Sequence, residues 1–336
     1  MKDATKTFYE QVNHARYRGQ PNGHYESFFL RANHPHRTLA FWIRYTIFSP
    51  KAHAENAIGE LWAVFFNGET GRHTALKREL PLKECMFATS AFDVRIGDAG
   101  LGPHGLSGAV RKGAESISWD LSYSGDSDPL LLLSFRLYRT KLPAAKSLVG
   151  LPLAVYSGTM QVNGETIPVS DWLGSCNHNW GSRHTDLYAW GQVAGFDMHP
   201  GSFLELATAR LKVGPFWTPA FTPIVLRHEG KEYVLNSLLQ TLRAHGSFDY
   251  FTWRFASESH KATIEGTITA PREAFVGLTY FNPPGGSKYC LNTKIASCIV
   301  HFRDKEHGSS ETLRANNRAA FEILTNDTTH GISIAV

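Results

Sequence analysis

Short runs of aromatic and β-branched residues, each ended by Gly, Pro, Asn or Asp, recur along this chain and restrict it to a β-rich fold. Residues 40–48 and 61–66 are runs of this kind, and runs with this composition and these boundaries are typical of strands. Residues 116–123 alternate polar and apolar side chains, as expected for a strand with one buried face. Since closed sheets leave no edge exposed, many short strands with few helices predict an all-β chain of closed or nearly closed antiparallel sheets.

The length of the chain predicts two domains, and a weak internal repeat agrees with this. The 336 residues are enough for about two domains with sizeable cores. Residues 40–42 and 59–62 resemble residues 188–190 and 202–205, and two tandem antiparallel barrels would explain the repeat. We therefore predict one barrel domain over residues 1–171 and a second over residues 172–336.

Helices and tight turns are predicted at a few places only. One short helix is expected within residues 1–22 and a single helical turn at residues 144–146. Asn163-Gly164 lies between two strand-like runs and predicts a hairpin with a two-residue turn. Asn67-Gly68 is a second hairpin signal.

The most informative stretch runs from Gly174 to Gly181 and continues at residues 188–193. It concentrates Trp, His, Asn, Tyr and Gln, and aromatic faces beside a few oriented polar groups are typical of a small-molecule site. The alternative interpretation is an edge strand whose Trp side chains pack in a core while His and Asn cap a turn.

His178 and Trp180 are two residues apart, so on a strand they point to the same side of the sheet. An imidazole can donate or accept a proton near neutral pH, and an indole face stabilises a nearby cation. Alkene hydration or cyclisation requires an acid and a surface that holds a carbocation. His178 is therefore a candidate catalytic residue, with a hydrogen-bonded structural role as the alternative.

His178-Asn179-Trp180-Gly181, followed by a strand with Tyr188-Ala189-Trp190 and then Gln192, resembles the central signature of one superfamily. It comprises the carotenoid 1,2-hydratases (hydroxyneurosporene synthase), the tocopherol cyclases and related two-domain, lipocalin-like Diels–Alderases. The resemblance extends over roughly residues 25–300. It implies two tandem lipocalin-like barrels. It also implies a cofactor-free enzyme that acts on an apolar isoprenoid or polyene-type small molecule, by alkene protonation or by pericyclic cyclisation.

In the hydratase members, the resemblance implies that the His-x-Trp pair works with a Tyr-x-Asp one strand later. The matching residues here are Phe203-Leu204-Glu205, with Phe in place of Tyr and Glu in place of Asp. Glu205 remains a candidate acid because burial keeps a carboxyl protonated; the alternative is a surface carboxylate. Loss of the phenol argues against hydration by that particular mechanism.

Further residues are expected to face the cavity or to support it. The expected substrate-binding residues are Asn177, Trp180, Tyr188, Trp190, Gln192, Phe203, Trp253 and Asn292. Glu26 and Arg44 are predicted to form a buried ion pair across neighbouring strands, since Arg suits paired burial.

Several other functions lack sequence support. The formal charge is +4, and no run of Lys and Arg occurs, which argues against nucleic-acid binding. No metal is expected, because the spacing of His178, His184 and Asp186 matches no established ligand pattern. There is no Gly-rich phosphate loop, so no nucleotide cofactor is expected. Without a signal-peptide core or a bilayer-length apolar run, the chain is expected to be cytoplasmic.

The expected partner is therefore a hydrophobic small molecule. An enzyme is the first hypothesis, and a non-catalytic lipocalin-like carrier of a hydrophobic ligand is the alternative. A carrier needs only an apolar volume, whereas an enzyme needs a polar group such as His178 or Glu205 facing that volume. A scaffold with a filled interior and no ligand is a third hypothesis.

Overall fold

The chain folds into two large antiparallel β-sheets, as seen in a computed structural model that describes residues 11–336. The predicted all-β class, with few short helices, is confirmed. The predicted N-terminal helix lies partly outside the described residues, and residues 11–22 form turns and irregular structure.

The first sheet contains twelve strands and curls into a nearly closed barrel, because β4 contacts β8 and β9 across the gap. Its spatial order is β4-β3-β2-β1-β12-β11-β9-β8-β7-β6-β5, and β10 pairs with β11. The strands are β1 (His24–Asn33), β2 (Leu39–Ser49), β3 (Ile58–Asn67), β4 (Thr74–Pro81), β5 (Cys85–Phe87), β6 (Val94–Ile96), β7 (Ala99–Gly102), β8 (Gly105–Lys112), β9 (Glu115–Ser124), β10 (Leu130–Leu131), β11 (Ala145–Val162) and β12 (Glu165–Gly181).

The second sheet contains ten strands and forms a half-barrel in the order β18-β17-β14-β13-β24-β23-β21-β20-β19, with β22 paired to β23. A separate small hairpin is made of β15 and β16. The strands are β13 (Leu187–Phe196), β14 (His199–Arg210), β15 (Lys212–Val213), β16 (Phe216–Trp217), β17 (Ile224–His228), β18 (Lys231–Leu235), β19 (His245–Asp249), β20 (Thr252–Glu258), β21 (Ala262–Thr269), β22 (Val276–Phe281), β23 (Ser287–Asp304) and β24 (Ser309–Thr325).

Helical structure in the described part of the chain is limited to five short pieces. Two are α-helices, Phe135–Tyr138 and Leu238–Arg243, and three are 3-10 turns, Ala54–Asn56, Leu82–Glu84 and Arg272–Ala274. The helical turn predicted at residues 144–146 is wrong: Ala145 begins β11 and pairs with Gly181 of β12. Pairing with a neighbouring strand overrides the weak local helix propensity there.

The hairpin predicted at Asn163-Gly164 joins β11 to β12 directly. Both turn residues have positive φ, 52° and 86°, the geometry that matches the twist of the flanking strands. The signal at Asn67-Gly68 also lies in a hairpin, between β3 and β4, but the connection is longer than two residues.

The two sheets divide the chain at a later point than residues 171 and 172. Strand β12 continues to Gly181 and pairs with β1 and β11 along residues 173–181. The division between the sheets therefore falls between Gly181 and Leu187, so the central motif belongs to the first sheet.

One apolar core lies within the first sheet, and a second core combines residues of the second sheet with residues from one face of the first, such as Phe29, Trp42 and Trp62. Phe28, Phe41 and Tyr156 lie in the first core, whereas Leu204 and Trp253 lie in the second. Alternate residues of β1, β2, β12, β13 and β14 point outward into the interface between the sheets. The candidate site is built at this interface and at the mouth of the first barrel.

Candidate functional site

The central motif supplies two polar clusters, one on each side of β12. Neighbouring residues of a strand point to opposite faces of the sheet. Asn177 accordingly reaches Gln192 of the second sheet, while His178 stacks on Phe28 in the first barrel at a ring-centroid distance of 4.2 Å. The motif therefore contributes to two distinct surroundings.

His178 is fully buried, and both of its ring nitrogens face acceptors. Nδ1 donates to the Val12 carbonyl at 2.5 Å, and Nε2 donates to Glu26 Oε1 at 2.8 Å. A carbonyl and a carboxylate only accept hydrogen bonds. Both ring nitrogens are therefore engaged, and the imidazole is fixed between Glu26 of β1 and the Val12 carbonyl.

Glu26 is held by four donors at the base of this cluster. Besides His178, it accepts from the backbone N–H groups of Arg16 at 2.7 Å and Tyr17 at 2.9 Å, and from His24 Nε2 at 3.0 Å. Burial alone would raise the pKa of Glu26, but hydrogen bonds from His178 and His24 and their charges lower it to about 2. The carboxylate is therefore ionised, and it anchors the segment from Val12 to Tyr17 over the barrel.

The predicted ion pair between Glu26 and Arg44 does not form. Arg44 is opposite Phe29 in the pairing of β1 with β2, so it lies on the face of the sheet that Glu26 does not share. Arg44 instead donates to Ser27 Oγ at 2.6 Å. The sequence placed the two residues on neighbouring strands correctly but assigned them to the wrong faces.

Trp180 lies beside His178, on the same side of the sheet, with ring centroids 4.8 Å apart. It is half-buried, and the Arg16 guanidinium carbon lies 5.1 Å from its ring centroid. The Tyr138 ring also packs near it, with ring centroids 6.1 Å apart. Trp180 thus joins the cover of the first barrel and has no contact with the interface network described next.

Gln192 is the centre of a fully buried hydrogen-bond network between the sheets. Its Nε2 donates to Asn177 Oδ1 at 2.8 Å and to Glu205 Oε2 at 2.7 Å. Its Oε1 accepts from Ser175 Oγ at 2.6 Å and from Arg31 Nε at 2.9 Å. This amide uses all its hydrogen-bonding capacity, which fixes its orientation.

Glu205 is a buried carboxyl with a strongly perturbed pKa. Trp190 Nε1 donates to its Oε1 at 2.8 Å, and Gln192 donates to its Oε2. Burial raises the pKa of Glu205 to about 8, although the hydrogen bonds from Trp190 and Gln192 and the charge of Arg31 act in the opposite direction. At neutral pH the group is mainly a protonated acid beside an indole ring.

Arg31 ties the two sheets together and was not anticipated as a site residue. It is fully buried, donates to the side chain and the backbone carbonyl of Gln192, and donates to Asn33 Oδ1 at 2.7 Å. Burial lowers its pKa to about 10. The sequence feature that could have indicated Arg31 is its charge within the otherwise apolar run of β1.

A second part of the network surrounds Lys294 and Glu322. Lys294 Nζ lies 2.8 Å from Glu322 Oε1, and Asn292 Nδ2 donates to the same oxygen at 3.0 Å. Asn33 Nδ2 donates to the Lys294 carbonyl at 2.7 Å and so connects this part to Arg31. Lys294 and Glu322 were also missed, and both are charged residues in apolar strands.

Aromatic side chains form a wall along this network. The ring centroids of Trp42 and Trp190 each lie 5.6 Å from Lys294 Nζ. The Arg44 guanidinium lies 4.3 Å from the Tyr280 ring centroid and 6.0 Å from that of Trp62. Among residues 11–336, Arg44 Nε and the indole N–H groups of Trp42 and Trp62 have no acceptor, although all three are buried.

The predicted site residues therefore do not form one site, and only some of them lie in the interface. Asn177, Trp190, Gln192, Glu205 and Asn292 lie in the interface. Tyr188 is half-buried at the same interface, where burial, Cys290 and Glu322 raise its pKa.

The other predicted residues lie elsewhere. His178 and Trp180 lie in the first barrel and have no contact with Glu205. Phe203 packs in a small apolar cluster with Ala194 and Val225. Trp253 lies in the second core, where its Nε1 donates to Thr208 Oγ1 at 3.0 Å.

The three residues weighed for a metal are not brought together. His184 stacks on Tyr25 at a centroid distance of 3.9 Å, and burial, with the charges of Arg44 and Lys288, lowers its pKa to about 3. Asp186 accepts from the backbone N–H of Lys212 at 2.9 Å. His178 is occupied by Glu26, as described above.

Comparisons with known proteins agree on the fold. No family model matches the chain. Two uncharacterised proteins of Mycobacterium tuberculosis, from strains CDC 1551 and H37Rv, are 25% identical over 288 residues, which is 85% of this chain and 83% of each relative.

Three solved structures resemble the chain over nearly its whole length. A Nitrosomonas europaea protein provisionally named AttH has a TM-score of 0.58 with 13% identity, covering 94% of this chain and 95% of that one. Kievitone hydratase from Nectria haematococca has a TM-score of 0.53 with 11% identity, covering 92% and 91%. CghA has a TM-score of 0.55 with 10% identity, covering 90% and 88%. The two-sheet fold is therefore shared with all three.

No helix in the described part of the chain has the length and apolar character needed to cross a bilayer.

Proposed function

We propose that this chain is a cofactor-free enzyme that protonates an alkene in a hydrophobic small molecule, leading to hydration or cyclisation between the two sheets. Glu205 is the proton donor in this proposal. The observation that carries it is a buried carboxyl that is held neutral at pH 7, beside the indole of Trp190. A carboxylic acid kept protonated by an apolar site is suited to general acid catalysis.

The proposed step balances without any cofactor. The Glu205 proton forms a new C–H bond with the electrons of the substrate double bond, and a carbocation remains on the other carbon. Water or a second double bond of the substrate captures this cation, and a proton then returns to the Glu205 carboxylate. The indole of Trp190, which donates to Glu205, supplies the aromatic face nearest the acid for the developing positive charge.

We assign proton donation to Glu205 rather than to His178 because of their surroundings. Both nitrogens of His178 are engaged with Val12 and Glu26, so His178 has no free nitrogen for a substrate. We propose that His178 is a positioning residue, which holds the cover over the first barrel and the adjacent strand β12.

The unpartnered donors of the interface suggest what else the substrate carries. Arg44, Trp42 and Trp62 each present a buried N–H group without an acceptor in residues 11–336, and leaving such groups unpaired costs about 1–3 kcal/mol each. An oxygen-bearing substrate, such as a polyene with a carbonyl or carboxylate, would satisfy them. Two of the solved structures with this fold are a kievitone hydratase and CghA, which has been solved with the compound Sch210972.

The test is incubation of the purified protein with an organic extract of its source cells in deuterated water, followed by liquid chromatography–mass spectrometry. Because a carboxyl proton exchanges with solvent, we expect a product with deuterium bound to carbon. Glu205→Gln should abolish this product. Glu265→Gln, on the exposed face of the second sheet, is the matched control and should retain it.

Three outcomes would contradict the proposal. If Glu205→Gln still incorporates deuterium into the product, Glu205 is not the proton donor. An isomeric product without deuterium would indicate pericyclic cyclisation by shape alone. A ligand that is retained unchanged by all variants would indicate a carrier.

A further inference from the structure

A histidine–carboxylate cluster lies at one edge of the second sheet, apart from the interface network. Its members come from three places: His199 begins β14, His228 ends β17 and Glu311 lies near the start of β24. His228 is buried, while His199 and Glu311 have side-chain exposures of 31% and 30%. An ion can therefore reach the cluster from solvent, although one ligand is fixed in the core.

Both imidazoles direct Nε2 to the same carboxylate. His199 Nε2 lies 3.2 Å from Glu311 Oε2, and His228 Nε2 lies 2.6 Å from Glu311 Oε1. In a tetrahedral zinc site with bonds of about 2.0–2.1 Å, neighbouring ligand atoms are about 3.3 Å apart. The distance from His199 to Glu311 is already close to this spacing, whereas Glu311 would have to move away from His228 by somewhat less than about 1 Å to share a zinc ion with it.

Glu229 provides a second carboxylate beside the two histidines. Ligand atoms of His199, His228 and Glu229 all lie within 4.8 Å of one another. Glu229 occupies the turn between β17 and β18 with a φ of 49°, a left-handed conformation that Gly, Asn and Asp adopt far more readily than Glu. The turn geometry does not account for Glu at this position, whereas a metal-binding role does.

Ser202 orients the buried histidine. Its Oγ lies 2.7 Å from His228 Nδ1, which leaves Nε2 directed at the cluster. A hydrogen bond to the non-ligating nitrogen is the usual support of a metal-binding histidine. A hydroxyl both donates and accepts, so it suits His228 with or without a metal.

We propose that His199, His228 and Glu311, together with Glu229, bind a zinc ion that joins β14, the β17–β18 turn and β24. Two imidazoles with carboxylates match the ligand preference of Zn²⁺. The proposal does not depend on the proposed enzyme activity, because none of these residues belongs to the Glu205 network.

The test is isothermal titration of the chelator-treated full-length protein with zinc chloride, with circular dichroism of each metal-free variant as a folding control. We expect one zinc ion per chain. His199→Ala should weaken binding by at least a hundredfold, and Ser202→Ala by about 10–100-fold, as for other residues that orient a ligand. Glu229→Asn should also weaken binding while the metal-free protein stays as stable as wild type, since Asn favours the left-handed turn.

Two matched controls separate this site from other histidines. His260→Ala changes an exposed histidine and should leave binding unchanged. His307→Ala disrupts the other group of possible ligands, Asp304, Glu306 and His307, and should also leave it unchanged. Zinc binding that survives His199→Ala and Glu229→Asn, binding lost only in His307→Ala, or no binding by wild type at micromolar zinc would each overturn the proposal.

Discussion

The buried carboxyl of Glu205 makes the stability of this protein depend on pH in a defined direction. Its pKa in the folded protein is about 8, against an ordinary value of 4.5. Between these values the folded state holds a proton that the unfolded state has released. The stabilising contribution is therefore complete below pH 4.5 and is lost as the pH rises towards 8.

The magnitude follows from the shift. Stability should fall by about 1.4 kcal/mol per pH unit within this window, and by about 5 kcal/mol in total. Replacement by Gln removes the titrating group but places an amide N–H₂ against Trp190 or Gln192, which are both donors. Glu205→Gln should therefore be less stable than wild type by about 1–3 kcal/mol at pH 5.

The assay is urea unfolding of wild type and Glu205→Gln at several pH values from 5 to 8. All other titrating groups cancel in the difference between the unfolding free energies of the two proteins. This difference should shift by about 3–4 kcal/mol in favour of the variant over this range. Glu265→Gln should show no such shift. If the difference in unfolding free energy between wild type and Glu205→Gln stays constant from pH 5 to 8, Glu205 is ionised in the folded protein and its pKa is not raised.

Two further perturbations test the rest of the architecture by the same unfolding measurements. Glu26→Gln removes the charged partner of buried His178 and should lower the free energy of unfolding by about 3–5 kcal/mol. Because the pKa of Glu26 is lowered to about 2, wild type should lose this advantage as the pH falls from 4.5 towards 2. If both proteins are equally sensitive to acid, Glu26 is not an ionised partner of His178. Gly174→Ala would place a Cβ 1.8 Å from the Arg31 carbonyl oxygen and should destabilise by about 3 kcal/mol or more, whereas Gly201→Ala, with no atom within 4 Å of its added Cβ, should be nearly neutral. Equal stability of these two Ala variants would show that β1 and β12 do not approach as closely as described.

Much of the local structure was predictable because strands and tight turns have short-range signals. The alternation in residues 116–123 corresponds to β9, and Asn163-Gly164 forms the turn that its residues favour. The two-residue spacing of His178 and Trp180 also placed their side chains on one side of a strand, where their rings meet. These features depend only on neighbours along the chain.

The assembly of the candidate site was not predictable in the same way. Glu26 and His178 are 152 residues apart, and Arg31 and Gln192 are 161 residues apart. Alternation tells which residues share a face, but it does not tell which face packs on the other sheet. For this reason the expected pair of Glu26 with Arg44 was assigned to the wrong face, and Arg31 was overlooked.

The all-β class, most of the strands and a central motif rich in groups that suit a site all follow from local patterns in the sequence. Periodicity and turn chemistry act within a few residues, so they can be read directly from the chain. The different surroundings of Asn177 and His178 result from the packing of the two sheets. The same packing buries Glu205 beside Trp190 and Gln192 of the second sheet and near the charge of Arg31 from the first. Burial of that carboxyl, and hence its proton at neutral pH, results from the packing of two sheets, and no local pattern contains that information.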